Sequence, residues 1–328
     1  MRFWYILILG AISSVILYFT LGIQDRVQQG REIELDAPIQ VVLKSNEQIP
    51  MAFWDVAQRG IRDAAVEFGV EVEFSGPRHE SEVIQQQRIL ENIIAQRPPA
   101  ILLAAGDFDL LSESMVRSED ADIPVITFDS GVNSDVPLSF IATDNHAAGV
   151  LAGAEMRRLM RSNDRKEIAI MSHSRGTATA IDREEGVRES LADENVIGTW
   201  YCDVNEQLAY EITMELLDNP RLGGIVALNE AASLGVARAV EERGTKDSVL
   251  VVGFDSAARE LTYIERGILK ATVVQRPYNM GYLAVKTAVE HLLGRRVESF
   301  IDTGAVLINA ENMFRREFQE LLFPFPQP

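Results

Sequence analysis

The stretch IPVITFDSG, Ile123 to Gly131, carries an apolar run straight into an aspartate, Asp129, and then a glycine. SVLVVGFDS, Ser248 to Ser256, ends in the same Phe-Asp-Ser pattern at Asp255. An unbroken apolar run of this length reads as a strand covered on both faces, and the carboxylate after it is aimed out of the strand's carboxyl end. Two such strands, far apart in sequence, finish in the same way.

Outward from these two runs the chain alternates strand-like and helix-like segments. IQVVLK (39–44) is apolar, and Trp54, Ala57, Ile61, Ala64, Ala65 and Phe68 then recur at helical spacing within Phe53 to Phe68. VEVEF (70–74), a helix over about Glu82 to Gln96, AILLA (100–104), IPVITF (123–128) and SFIAT (139–143) complete one series. EIAIM (167–171), VIGTWY (196–201), GGIVAL (223–228), VLVVGF (249–254) and KATVVQ (270–275) form a second. Apolar strands separated by helices predict parallel sheets covered on both faces. The expected fold is therefore α/β, two doubly wound, Rossmann-like lobes. A closed eight-stranded barrel fits two similar five-strand series poorly. Three crossings, near Thr143–Asn145, Gln275–Pro277 and Thr303–Ala305, would form a hinge. The division expected is 38–143 plus 276–304 for the N-terminal lobe and 144–275 plus 305–322 for the C-terminal lobe.

Ligands of open parallel sheets sit outside the carboxyl ends of the strands. Asp129 and Asp255 would then face one cleft from opposite lobes. The competing reading is that each merely caps the helix that follows. Replacing Asp255 by Ala separates the two: a ligand group at an open cleft would lose affinity and leave folding almost untouched.

Composition narrows the chemistry. The 328 residues are 47% hydrophobic and 24% charged, an ordinary globular balance with room for two cores. Thirty-one basic residues against 49 acidic ones leave a formal charge of -18, which repels a phosphate backbone and argues against nucleic acid as a partner. Cys202 is the only cysteine, and His79, His146, His173 and His291 share no ligand-like spacing, so neither a disulfide framework nor a metal site is expected. No GxxxxGK[ST] loop, GxSxG elbow or HExxH helix is present, and no cofactor or catalysis is expected.

Phe3 to Ile23 is uncharged throughout, preceded by Arg2 and followed by a charged stretch. About 20 apolar residues match a bilayer's hydrocarbon core, longer than the roughly 7–15 of a cleaved signal. Residues 1–24 read as a membrane anchor, or as a signal segment cleaved after the small residues Thr20 and Gly22, and residues 25–37 as a polar stalk. Either version places the body outside the cytoplasm.

FWDVAQRGIRDAAVEFG (53–69), IPVITFDSG, ATDN (142–145), GTATAIDREEG (176–186), VALNEAASLG (226–235), VVGFDS (251–256) and ERGILKATVVQRPYNMG (265–281) occur in the order found in a known family. From about Ile39 to Asn309 the chain resembles the type I periplasmic binding proteins, in particular the ribose-binding group serving ABC sugar importers. The resemblance implies a sugar pocket. Phe53 and Trp54 match aromatics that close on a sugar ring, one of them expected to serve core packing instead. Asp129 matches a hydroxyl acceptor, Arg183 a forked donor, and Asn229, Asp255 and Gln275 the remaining polar positions. Where the ribose-binding pattern has an arginine, this chain has Ser130. Lys44, Gly76-Pro77 and Asp129-Ser130 are similar to the autoinducer-2 receptor branch, whereas ATDN and Arg183 are similar to the ribose branch. Glu80 and Asp203 or Asn205 are within reach of the pocket, with surface roles the favoured expectation. The implied output is delivery to an ABC permease, or, alternatively, signalling through a membrane sensor kinase.

Overall fold

The computed structural model describes residues 34–46 and 52–322. In chain order these form β1 (Ile39–Val42), α1 (Ala52–Phe68), β2 (Val72–Ser75), α2 (Val83–Gln96), β3 (Ile101–Leu103), α3 (Ser112–Asp120), β4 (Val125–Phe128) and β5 (Ser139–Ala142). Then come α4 (Asn145–Met160), β6 (Glu167–Ser172), α5 (Ala178–Ser190), β7 (Asn195–Tyr201), α6 (Glu206–Leu216), β8 (Leu222–Ala227), α7 (Glu230–Arg243), β9 (Leu250–Phe254), α8 (Ala258–Glu265) and β10 (Leu269–Val274). The chain ends with α9 (Pro277–Leu292), β11 (Phe300–Asp302), β12 (Val306–Asn309) and α10 (Arg316–Leu322).

The strands build two six-stranded sheets, ordered β11-β5-β4-β3-β1-β2 and β12-β10-β9-β8-β6-β7. Each apolar strand is shared between the two faces of its sheet, as its period of two requires. Leu102 packs with Val41 and Ile126 on one face, whereas Ile101 and Leu103 pack with Val42 and Val125 on the other. The second sheet is sandwiched in the same way.

The chain passes between the sheets after β5, after β10 and between β11 and β12. Helix α9 returns to the first sheet, where it packs on α1, β4 and β5. One strand departs from the expected parallel arrangement: β12 runs antiparallel to β10. Both sheets direct their carboxyl ends toward the interface, so a strand that arrives through the short crossing from β11 enters the second sheet from that edge and runs against its neighbours.

Among the described residues no helix is long and apolar enough to cross a membrane. The Phe3–Ile23 segment and most of the expected stalk lie outside the described residues.

Candidate functional site

A cavity of about 350 Å³, part of it open to solvent, lies between the sheets. It is bordered from the first sheet by Lys44, Phe53, Trp54, Glu80 and Asp129, and from the second by His173, Thr179, Arg183, Asn229, Asp255 and Gln275. Lys44, Asp129, His173, Asn229, Asp255 and Gln275 all follow within two residues of a strand's carboxyl end, which is where open parallel sheets place ligands.

The two strand-end aspartates are built alike. Asp129 donates its backbone N–H to Ile141 of β5 at 3.0 Å, and Asp255 donates to Val273 of β10 at 2.9 Å. Both then turn through left-handed backbone, with φ of 60° and 78°. Such values are uncommon for a residue with a side chain, although Asp tolerates them better than most. Ser130, an expected site residue, does not border the cavity. Ser130 is instead fully buried beside the end of β3, its carbonyl accepting from Ala105.

Neither aspartate caps the helix after it in sequence. Asp129 pairs with Lys44 at 2.7 Å, both almost wholly buried, so a cation from the end of β1 neutralises a carboxylate from the end of β4. Asp255 accepts from Gln275 Nε2 at 2.7 Å through Oδ1 and from the backbone of Glu230 at 3.0 Å through Oδ2. Burial raises its pKa, opposed by Arg183 and by the Gln275 bond. These bonds correct the expectation that Asp255 is hydrated and structurally idle: it also anchors the first turn of α7.

Arg183 is positioned by backbone packing. Helices α4 and α5 approach so closely that a Cβ on Gly149 would lie 2.3 Å from the Arg183 carbonyl oxygen. Its Nε donates to Asn145 Oδ1 at 2.9 Å and one terminal nitrogen to the Leu228 carbonyl at 2.8 Å. The guanidinium lies over the Phe254 ring at 4.6 Å. Asn229 uses Oδ1 to cap α7 by accepting from Ala232.

Phe53 and Trp54 meet edge to face at 5.1 Å, and Trp54 meets Phe128 in the same manner at 6.3 Å. Both border the cavity and both also pack into the core, so the expected split between the two roles is not seen. Trp54 Nε1 donates to Glu80 Oε1 at 2.9 Å. Glu80 is thus a wall of the cavity and not the surface residue expected, and burial raises its pKa against the opposing pull of Lys44. Asp203 and Asn205 are exposed, and Asn205 caps α6. His173 and Thr179 are the other cavity residues that sequence reasoning passed over. Burial, reinforced by Arg183 and Lys44, holds the His173 pKa well below its ordinary value.

A backbone hydrogen bond also links loops of the two sheets. Phe108 N–H donates to the Gly176 carbonyl at 2.7 Å, joining the loop after β3 to the loop after β6. Among the described residues no group of three or more His, Cys, Asp or Glu is placed to hold a metal ion.

Residues 42–296 match the family model described as "Periplasmic binding protein domain". The ribose import binding protein of Escherichia coli (strain K12) is 27% identical over 213 residues, which is 64% of this chain and 71% of that protein. A carbohydrate transporter solute binding protein from Agrobacterium radiobacter, in complex with D-arabinose, superposes with a TM-score of 0.83 at 30% identity, covering 88% of this chain and 99% of the other. An ABC transporter solute binding protein from Agrobacterium vitis with bound D-fucose gives a TM-score of 0.83 at 31% identity, covering 88% of this chain and all of the other (100%). With two doubly wound sheets facing one polar cleft and a family match over most of its length, the chain belongs to the periplasmic binding protein domain family.

Proposed function

We propose that this protein is an extracytoplasmic solute-binding protein that holds a small sugar between its lobes and hands it, chemically unchanged, to an ABC importer. The observation that carries the reading is the convergence of Asp129 and Asp255, from the ends of two different sheets, on a cavity walled by Phe53 and Trp54. Sugar hydroxyls both donate and accept, and a site mixing carboxylates with Lys44, Arg183, Asn229 and Gln275 meets them from both sides. A sugar's C–H face is apolar and suits an aromatic wall. The D-arabinose and D-fucose bound by the two solved relatives, and the ribose in the curated relative's name, support a monosaccharide of this size.

In this reading residues 38–143 with 276–304 and residues 144–275 with 305–322 are the bodies that hinge about the ligand. The Phe3–Ile23 segment tethers them to the outer face of the membrane. The test is a thermal-shift screen, followed by calorimetry, of D-ribose, D-allose, D-arabinose, D-fucose, D-xylose and D-galactose. A ligand that binds only the folded state raises its melting temperature. At least one sugar should bind with a simple one-to-one isotherm. No shift with any of them overturns the reading.

A further inference from the structure

His173 stands just beyond β6 and borders the cavity, yet no part of the sugar reading assigns it a task. It is 4% exposed, so whatever its ring nitrogens need must come from protein or ligand. Nε2 lies 3.3 Å from Thr177 Oγ1 and 3.4 Å from Thr179 Oγ1. Thr177 is the N-cap of α5, and its hydroxyl oxygen accepts from Ala180 N–H at 3.3 Å and from the Thr179 hydroxyl at 3.3 Å.

A hydroxyl has one proton and two lone pairs. In the arrangement where the Thr179 proton goes to Thr177, both lone pairs of Thr177 are used and its own proton is directed to His173 Nε2. Nε2 is then an acceptor, and the single proton of a neutral imidazole resides on Nδ1. Nδ1 has no hydrogen-bond partner among the described residues. The result is a buried N–H donor on the ring that walls the cavity.

The other groups say what would meet it. Three residues of the cavity wall, Glu80, Asp129 and Asp255, carry carboxylates, which when ionised are acceptors only. Sugar hydroxyls that donate to them still carry lone pairs, and these require donors from the opposite side. We propose that His173 is a ligand-contacting, specificity-determining residue of the cleft, donating from Nδ1–H to a hydroxyl or ring oxygen of the bound sugar. This rests on the sugar reading above and deepens it. A neutral oxygen is accepted at that position, whereas a deoxy carbon or an ammonium nitrogen leaves the donor unmet or opposed.

The experiment first identifies, from the panel above, a sugar that binds the wild-type protein. If none does, the sugar reading fails and the inference with it. With a binding sugar in hand, His173→Phe, which keeps the ring and removes both nitrogens, and His173→Asn, whose amide nitrogen overlays Nδ1, are compared by calorimetry. The Phe variant should lose affinity about tenfold or more, and the Asn variant should recover most of it. Deoxy analogues of the same sugar, tested on wild type and on the Phe variant, locate the oxygen: one analogue should weaken wild type and leave the variant unchanged. Affinity within about twofold of wild type in a folded His173→Phe protein overturns the proposal. Should that variant fail to fold, NMR of the ring nitrogens in the wild-type protein decides. A proton on Nδ1 that becomes protected from exchange on adding the sugar supports the assignment, and a proton on Nε2 overturns it.

Discussion

Replacing Asp255 tests the site most directly, because this carboxylate serves both the fold and the cleft. In Asp255→Ala the Gln275 amide and the Glu230 N–H both lose their acceptor in a position that is 7% exposed. Each of these two buried groups left without a partner costs about 1–3 kcal/mol, so folding stability should fall by roughly 2–6 kcal/mol. Asp255→Asn is the informative partner variant. Its side-chain oxygen still accepts from Glu230, and Gln275 can rotate its amide to accept from the new nitrogen, so the loss of stability should stay near 1 kcal/mol. The charge is gone in both variants, and a charge-assisted bond to a sugar hydroxyl is worth about 1.5–3 kcal/mol, or roughly tenfold or more in affinity. Urea unfolding without sugar measures the first effect and calorimetry with the bound sugar the second. Asp255→Asn should therefore be nearly as stable as wild type and bind at least tenfold more weakly. Unchanged affinity in that variant would falsify the ligand role, and wild-type stability in Asp255→Ala would refute the structural one.

Gly176→Ala probes closure, since a Cβ there would lie 2.2 Å from Asp107 Oδ2, and Asp107 is held by the backbone N–H groups of Asp109 and Leu110. Relieving that clash should cost this contact between the two sheets' loops about 1–2 kcal/mol and, if closure on the sugar needs it, weaken sugar binding roughly 5–30-fold, and equal affinity would show that the contact does not matter. Glu260 is fully buried beside Glu230 and Asp255, and burial holds its pKa well above the ordinary carboxylate range. A raised folded-state pKa means that the folded protein holds the extra proton. Its stabilisation is complete below the ordinary value near 4.5 and is lost as pH rises through the folded pKa. Glu260→Gln should therefore flatten the pH dependence and be more stable than wild type at the alkaline end, and parallel stability curves would contradict this. Burial pushes the Cys202 thiol up to about 11, so a thiol-reactive dye should label it only as fast as the protein unfolds, and rapid labelling of folded protein would be the contrary result. If Phe3–Ile23 remains attached, the full chain should stay with membranes through salt and carbonate washes, whereas a soluble product beginning near Ile23 would point to cleavage.

The alternation of buried strands with amphipathic helices, the change of series after SFIAT and the matching ends at Asp129 and Asp255 were legible in the residues alone, because burial on both faces leaves a local period that neighbours in sequence carry. Family fingerprints added Arg183, Asn229 and Gln275. What they could not carry was which loops would meet. Lys44 finds Asp129 because β3 alone separates β1 from β4 in the first sheet, and Trp54 finds Glu80 from opposite sides of β2 in the chain. His173 looked like one histidine among four until β6 placed it at the cleft and Thr177 oriented its ring. Ser130 is fully buried and does not border the cavity, whereas Asp129, one residue before it and in left-handed backbone, does. The β12 strand runs antiparallel because the geometry of the crossing sets its direction, and its sequence does not. Local pattern determines which residues are buried in strands and helices, but strand order and backbone turns at the sheet edge determine which side chains share a cavity, and those are properties of the assembled sheets.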